Sequence, residues 1–221
     1  MTGSGAAHSP RRRATVAVHS GVTPDPVHGA LTAPIILAST FRHGNPHGFS
    51  YAREDEPTWH PLEEALTALD AGAGCAVMSS GMAAITAVVE QVPVGAIVVG
   101  PSSSYSGTRR LLGELDDKGR LRARLVDVTD TDAVIAALDG AALLCLEVVT
   151  NPMLGVCDID ACIAAARSAG AEVMVDATFS TPILVRPLEQ GDVVIVHSLT
   201  KYVNGHSDLL LGACITATEA K

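Results

Sequence analysis

Short unbroken apolar runs recur along this chain from about residue 74 onward, and most of them end in a polar or turn-forming residue. Runs of about four to eight apolar residues, rich in β-branched side chains, are typical of strands that are buried on both faces of a sheet. This pattern predicts seven strands, near residues 74–78, 95–99, 121–126, 142–148, 172–176, 192–197 and 209–215.

Helical patterns fill several of the gaps between these strands. Residues Pro61 to Leu69 predict a helix with proline in its first turn, where the missing N–H is not needed. Residues Asp158 to Ala169 predict another, because acidic residues begin the segment and Gly170 follows it. The apolar segment Met82–Glu90 predicts a third. Alternating strands and helices indicate an α/β fold, in which a mostly parallel sheet carries helices on both faces.

The first 58 residues lack this alternation. Residues 1–14 are polar and are expected to be disordered, and residues 15–58 contain many loops and several prolines. We therefore expect residues 1–58 to form an N-terminal tail and arm, and residues 59–221 to form one large domain.

Composition and charge narrow the function. The chain has 221 residues, 48% of them hydrophobic, which is enough apolar material for one sizeable core. Its net charge of −9 argues against nucleic acid as a partner. No apolar run approaches the roughly 18 residues of a membrane span. The five cysteines form no Cys-x-x-Cys pair, so we expect reduced thiols, no metal site and a cytoplasmic protein.

Candidate chemistry lies at the end of the run Val193–His197. The residues that follow it include Ser198, Thr200 and Lys201. Polar groups at the carboxyl ends of strands are where open α/β sheets hold ligands. A lysine there can form an imine with a carbonyl cofactor, and the two hydroxyls can bind a phosphate or simply cap the turn. These residues indicate pyridoxal 5'-phosphate (PLP).

Two further segments supply what such a cofactor needs. Asp176 ends an apolar strand, where a carboxylate is costly unless a cation or hydrogen bonds stabilise it, and the protonated ring nitrogen of PLP is such a cation. The alternative is that Asp176 caps the next turn. Ser80 and Gly81 open an apolar helix, and the free N–H groups of a helix N-terminus bind phosphate. Ser80 is also an ordinary N-cap residue.

These motifs, with several others in the same order, resemble the Cys/Met metabolism family of PLP-dependent enzymes, which includes cystathionine γ-synthase and cystathionine γ-lyase. The resemblance runs from about Val16 to the end of the chain. Its segments are Tyr51–Arg53, Pro57–Thr58, Ser80–Met82, Tyr105–Thr108, Glu147 with Asn151–Pro152, Val175–Pro182 and Ser198–Asp208.

The resemblance implies a PLP-binding large domain of the fold type I class, and it assigns roles to single residues. Lys201 would hold the cofactor and move a substrate proton, and Tyr105 would stack on the ring and assist catalysis. Arg110 would lie near the substrate, although a solvated helix position is an equal alternative. The residues implied to bind the cofactor are Tyr51, Arg53, Ser80, Gly81, Met82, Tyr105, Asn151, Asp176, Ser198, Thr200 and Lys201. Tyr51 and Arg53 would reach the cofactor of a neighbouring subunit in a dimer or tetramer.

The implied activity is C–S lyase chemistry of transsulfuration on cystathionine or a related γ-substituted amino acid. The alternatives are cystathionine γ-synthase, which would join O-activated homoserine to cysteine, and a truncated remnant without catalysis. Gly107 stands where methionine γ-lyases usually have cysteine, which argues against that branch. Glu54, Asp55 and Glu56 lie beside Arg53 and would weaken its positive field unless they point to solvent. The family also implies a C-terminal small domain, which we expect this chain to lack.

Overall fold

The computed structural model describes residues 12–218 of the chain. Residues 1–11 and 219–221 lie outside the described residues, and so does most of the segment predicted to be disordered. The chain divides into two compact units, residues 1–69 and 70–221. The boundary after residue 58 that the sequence suggests stays a prediction.

The first unit holds two helices and the loops between them. Helix α1 spans Arg13–His19, and helix α2 spans His60–Asp70 with Pro61 in its first turn, as the sequence predicts. The predicted disorder of residues 13 and 14 is wrong, because both belong to α1. This helix was hard to foresee, since it has no buried residue and therefore no apolar stripe that a sequence pattern would show.

The second unit is built on one seven-stranded sheet, and all seven predicted strands are confirmed within a few residues. The strands are β1 Gly74–Met78, β2 Ile97–Pro101, β3 Arg122–Val126, β4 Ala141–Glu147, β5 Glu172–Asp176, β6 Val194–Ser198 and β7 Gly212–Thr216. Their order across the sheet is β1-β7-β6-β5-β4-β2-β3. Strands β3, β2, β4, β5 and β6 pair in parallel, and β7 pairs antiparallel with both of its neighbours. The sheet is therefore mostly parallel, as predicted.

Helices follow several of the strands. They are α3 Gly81–Val89, α4 Ser106–Asp117, α5 Thr131–Ala137, α6 Ile159–Ala169 and α7 Thr181–Leu184. Helix α6 starts after Asp158, whose carboxylate accepts from the N–H of Ala161, and it ends at Gly170 in the left-handed conformation. Both ends agree with the sequence prediction.

The parallel pairing decides where polar side chains meet. Because parallel strands end at the same edge of the sheet, β4, β5 and β6 bring their last residues, Glu147, Asp176 and Ser198, to one edge. Glu147 and Asp176 are direct partners in the register of β4 and β5. The carboxyl edge of the sheet therefore gathers two acids and a hydroxyl beside the turn that carries Lys201.

A second polar pair lies inside the second unit. Nε2 of His197 on β6 lies 2.9 Å from Oδ2 of Asp70, and both side chains are completely buried. Asp70 Oδ1 and His197 Nδ1 have no hydrogen-bond partner within residues 12–218. This pair ties the start of the second unit to the strand that leads to Ser198.

The described cysteines and helices complete the fold. None of the five cysteines forms a disulfide, and the sulfur atoms of Cys157 and Cys162 are 3.8 Å apart. Among residues 12–218, no group of three His, Cys, Asp or Glu side chains could hold a metal ion. No helix in this part of the chain is long and apolar enough to cross a membrane.

Candidate active site

One cavity at the carboxyl edge of the sheet gathers most of the residues that the sequence predicts to bind PLP. Every residue that lines it belongs to the second unit. The predicted residues in its lining are Ser80, Gly81, Met82, Tyr105, Asn151, Asp176, Ser198 and Lys201. The lining also includes Glu147, Thr178 and Phe179, to which the sequence analysis gave no role.

The N-terminus of α3 forms one end of this cavity. Ser80 is its N-cap, and the Oγ atom of Ser80 accepts a hydrogen bond of 3.1 Å from the N–H of Ala83. The first turn of a helix has more N–H groups than its cap can satisfy, and those of Gly81 and Met82 come first in this one. Both residues line the cavity, so the helix offers it backbone donors and the positive end of its dipole.

Gly81 permits a close approach between α3 and β6. A Cβ atom at this position would lie 2.8 Å from Cβ and 3.0 Å from Cα of Ser198, closer than such atoms pack. The missing side chain therefore lets the hydroxyl of Ser198 lie beside the helix N-terminus. The backbone N–H groups of the helix and the Ser198 hydroxyl, with no side chain on Gly81 between them, form a cradle that suits a phosphate group.

Asp176 supplies the acidic end of the cavity. Burial raises the pKa of this carboxyl, whereas hydrogen bonds from Thr178 and the charge of His197 lower it. The N–H of Thr178 donates to Asp176 Oδ1 at 2.9 Å. No lysine or arginine within residues 12–218 forms an ion pair with Asp176, so a cationic ligand in the cavity would stabilise its ionised form. The donor set therefore fits a cofactor with a phosphate and a protonated ring nitrogen.

Thr178 links β5 to β6 and is a residue that the sequence analysis missed. Its Oγ1 accepts a hydrogen bond of 2.8 Å from the N–H of Ser198, and its hydroxyl also bonds to Asp176. One side chain thus connects the acidic group of the cavity to the backbone beside the phosphate cradle. The Thr at this place was visible in the motif, but a contact 20 residues along the chain has no local signal.

Tyr105 lies directly before α4 and packs on its first turn. A Cβ atom at position 107 would lie 2.5 Å from Cε1 of the Tyr105 ring and 2.8 Å from the sulfur of Met82. The Tyr105 ring can take this position because residue 107 is a glycine and has no side chain. The phenol side chain lines the cavity and is 41% exposed, so it is open to a ligand on one side.

Glu147 is the second residue that the sequence analysis missed as a site residue. It ends β4, is 5% exposed, and accepts hydrogen bonds from the backbone N–H groups of Tyr105 and Asn151. Burial raises its pKa to about 7. The sequence does contain a signal for this residue, because Glu147 ends an apolar run in the same way as Asp176.

Lys201 lies in the turn after β6, where its N–H donates to the carbonyl of Ser198 at 3.2 Å. Lys201 lines the cavity and is exposed to solvent. The reason is that β6 ends at Ser198, and the following turn carries the lysine out of the sheet. Its position suits an amine that reaches into an open cavity.

Other predicted residues lie elsewhere. Thr200 exchanges hydrogen bonds of 3.2 Å with the backbone N–H and carbonyl of Leu211, and it is not part of the cavity lining. Arg110 is on an open face of α4, with its side chain 77% exposed and its Nε 4.0 Å from Glu114 Oε1. Their roles in binding cofactor and substrate stay predictions.

Tyr51 and Arg53 belong to the first unit, where they form a pair. The guanidinium of Arg53 lies over the Tyr51 ring, 4.8 Å from its centroid. Of the neighbouring acids, buried Glu56 accepts bonds from the hydroxyl and N–H of Thr58, at 2.7 and 3.0 Å. At least this acid is bound locally and does not point to solvent.

Comparisons with known proteins show the family of the chain. A family model described as Cys/Met metabolism PLP-dependent enzyme matches residues 14–221. The cystathionine γ-synthase of Mycobacterium tuberculosis strain H37Rv is 40% identical over 212 residues, which are 93% of this chain and 55% of that protein. The cystathionine γ-lyase of Bacillus subtilis strain 168 is 34% identical over 212 residues, covering 94% of this chain and 56% of that protein.

A solved structure gives the same result for the fold. Cystathionine γ-synthase from Xanthomonas oryzae pv. oryzae, in complex with cystathionine, matches with a TM-score of 0.89 and 37% identity. The match covers 96% of this chain and 56% of that one, so the chain spans a little over half the length of these relatives. Because the family model matches nearly the whole sequence, this chain belongs to the Cys/Met metabolism family of PLP-dependent enzymes.

Proposed function

We propose that the cavity of the second unit binds PLP and that the chain carries the cofactor-binding part of an enzyme acting on cystathionine or a related γ-substituted amino acid. The observation that carries this proposal is the close approach of Gly81 to Ser198, in a cavity that also holds Asp176 and Lys201. A phosphate cradle, an unpaired acid and an amine in one cavity match the three chemical groups of PLP.

Each residue then has a defined task. The N–H groups of Gly81 and Met82 and the hydroxyl of Ser198 hold the phosphate, and Asp176 faces the ring nitrogen. Tyr105 covers the ring. Lys201 would hold the cofactor aldehyde through its amine and, once released, would take the proton from the substrate α-carbon. The bound cofactor supplies an electron sink that makes this α-proton acidic.

The first candidate reaction is C–S lyase chemistry, the activity that the overall resemblance to the family implies. Lys201 removes the α-proton, a second proton leaves the β-carbon, and the thiol on the γ-carbon departs with a proton. Water then completes the overall change from cystathionine to cysteine, 2-oxobutyrate and ammonia. The relative from Bacillus subtilis bears the name of this activity.

The second candidate is cystathionine γ-synthase, and one observation favours it. The relative from Mycobacterium tuberculosis, a γ-synthase, is 40% identical to this chain, compared with 34% for the Bacillus subtilis lyase. In this reaction the thiol of cysteine replaces the activated oxygen on the γ-carbon of homoserine. Proton removal by Lys201 is common to both candidates, so the site described here serves either.

An assay on two substrate sets distinguishes these candidates. PLP-loaded protein is incubated with cystathionine, and release of 2-oxobutyrate is measured; in parallel, O-succinylhomoserine and O-acetylhomoserine are each supplied with cysteine, and formation of cystathionine is measured. A chimera that adds the part of the Mycobacterium tuberculosis relative left uncovered by the match is tested beside the chain. The Lys201→Ala variant of each is the control. Product from neither set in the chimera would leave the third possibility, a PLP-binding remnant.

We further propose a cytoplasmic homo-oligomer, a dimer or a tetramer, in which Tyr51 and Arg53 reach the cofactor phosphate of a neighbouring subunit. The pairing of Arg53 with the Tyr51 ring supports this, because a guanidinium prearranged on an aromatic ring can bind phosphate oxygens in a bidentate manner. Five cysteines without a disulfide fit a reducing compartment. Mixing Arg53→Ala with Lys201→Ala protein tests the shared site: a regained activity in the mixture supports it, and two inactive variants that stay inactive oppose it.

A further inference from the structure

Glu147 holds together two residues that line the cavity. Its Oε1 accepts a hydrogen bond of 2.7 Å from the N–H of Tyr105, and its Oε2 accepts one of 3.0 Å from the N–H of Asn151. Tyr105 starts α4, and Asn151 lies in the loop after β4, so the two partners come from separate segments of the chain. The carboxyl group joins these segments at the end of the strand that carries it.

The two bonds match an ionised carboxylate. Both partners are donors, and a carboxylate presents only acceptors to them. Protonation replaces one acceptor with a donor, which weakens the fit to one of the two N–H groups. Because Glu147 is 5% exposed, water has little access to satisfy the group that loses its partner.

The charges around Glu147 place its titration near neutral pH. Burial raises its pKa to about 7, and the charge of Asp176 on β5 adds to the rise. The bonds from Tyr105 and Asn151 and the charge of Arg109 on α4 act in the opposite direction. Lys201 lines the same cavity from the turn after β6. A small change of pH around neutrality therefore changes the charge of this group.

We propose that Glu147 is a positioning residue, whose ionised carboxylate fixes Tyr105 and Asn151 at the cavity, so that the cavity becomes better ordered for its ligand as Glu147 loses its proton. This inference rests on the proposed function only in naming PLP as that ligand. Tyr105 is the residue proposed to cover the cofactor ring, and Asn151 lies opposite it on the Glu147 carboxylate. Glu147 acts through these two residues and needs no contact with the cofactor.

Amide hydrogen exchange of the cofactor-free full chain tests the proposal directly. In Glu147→Gln, one amide oxygen can still accept, but the NH₂ group faces a donor. We expect the protection factors of the Tyr105 and Asn151 amides, or of at least one of them, to fall about tenfold, the effect of losing roughly one hydrogen bond. The Ala161 amide, which donates to the Asp158 carboxylate, is the matched control and should not change.

The pH profile separates positioning from a general loss of structure. In local openings that leave Glu147 buried, and after correction for intrinsic rates, protection of the Tyr105 and Asn151 amides in the wild type should rise between about pH 6 and pH 8, whereas Glu147→Gln should show no such rise. Global unfolding exposes Glu147 and has the opposite pH dependence, so it does not produce this rise. Glu147→Asp, which keeps the charge on a shorter side chain, should restore part of the pH dependence. If Glu147→Gln is too unstable to study, the exchange profiles of the wild type and of Glu147→Asp still test the positioning role of Glu147.

A PLP titration of the same proteins adds the link to the cofactor. The dissociation constant of the wild type should fall as the pH rises through about 7, and that of Glu147→Gln should be higher and less dependent on pH. Unchanged amide protection in Glu147→Gln, or a flat wild-type exchange profile, would overturn the inference. Failure of every protein to bind PLP would instead reject the proposed function and leave the exchange result to judge the role of Glu147.

Discussion

Gly81, at the start of α3, packs so closely against Ser198, at the end of β6, that a Cβ atom on it would lie 2.8 Å from the Cβ of Ser198. Contact of this kind between a helix N-terminus and a strand end is what opens the phosphate cradle. The two residues are far apart in sequence, and only the folded sheet brings them together.

Replacing Gly81 with alanine should therefore impair cofactor binding more than folding. The added methyl group pushes α3 away from Ser198, and the phosphate loses the aligned donors of both. We expect at least a tenfold rise in the dissociation constant for PLP, measured by quenching of the intrinsic fluorescence. Gly113→Ala on α4 is the matched control, because nothing lies within 4 Å of a Cβ there, and it should leave the affinity unchanged. Equal affinities in both variants would contradict the cradle.

The hydroxyl of Thr178 should contribute to the stability of the fold, because it bonds to two groups at once. In Thr178→Val the N–H of Ser198 and the carboxylate of Asp176 both lose a partner, so we expect a loss of about 1–3 kcal/mol in the free energy of unfolding. Urea denaturation measures this loss. Thr178→Ser keeps the hydroxyl and should recover most of it. If Thr178→Val is as stable as the wild type and Thr178→Ser is not, the methyl group and not the bridge is what matters.

Removing one member of the buried pair of Asp70 and His197 should be severe. His197→Leu leaves Asp70 completely buried with no partner, and we expect a loss of about 3 kcal/mol or more in the free energy of unfolding. The double variant Asp70→Leu with His197→Leu removes both polar groups and should be more stable than His197→Leu alone. A double variant whose loss of stability equals the sum of the losses in Asp70→Leu and His197→Leu would show that the pair has no coupled role.

Stability of the cofactor-free chain should fall as the pH rises toward neutrality. The carboxyl of Glu147 has a folded-state pKa of about 7, above its ordinary value of 4.5, so between these pH values the folded state binds more protons than the unfolded state. The free energy of unfolding then decreases with pH by up to roughly 3 kcal/mol across that window. The raised pKa of Asp176 acts in the same direction above its ordinary value. Denaturation of the wild type and Glu147→Gln at pH 5 and pH 7 measures this, and the variant should show the smaller decrease.

The sequence predicts the sheet well because its strands are buried on both faces. An apolar run such as Val193–His197 removes its side chains from water by forming a strand that is covered on both faces. The polar residues that follow it mark the carboxyl edge of the sheet. Such runs do not predict the order of the strands or the antiparallel direction of β7, because both depend on which strands pair after the chain has folded. Helix α1, without a buried side, also gives no periodic signal.

Some residues of the site can be predicted from the sequence, and others cannot. Residues in turns directly after strands, such as Ser198 and Lys201, could be predicted from local sequence. Glu147 and Thr178 act through backbone N–H groups of distant segments, which no local pattern shows. The position of Arg110 depends on the rotation of α4 about its axis. That rotation buries Gly107, Thr108, Leu112 and Leu115 and leaves Arg110 exposed, and it depends on packing against α3 and β3, which lie elsewhere in the chain.

The central claim is that the amine of Lys201 binds the aldehyde of PLP in this cavity. Protein incubated with PLP is reduced with borohydride, digested, and analysed by mass spectrometry, with Lys201→Ala treated in parallel. We predict a phosphopyridoxyl adduct on the peptide that contains Lys201, at near-stoichiometric yield, and its absence in the variant. No adduct at Lys201, or an adduct that spreads over other lysines such as Lys118 with no preference, would contradict the account.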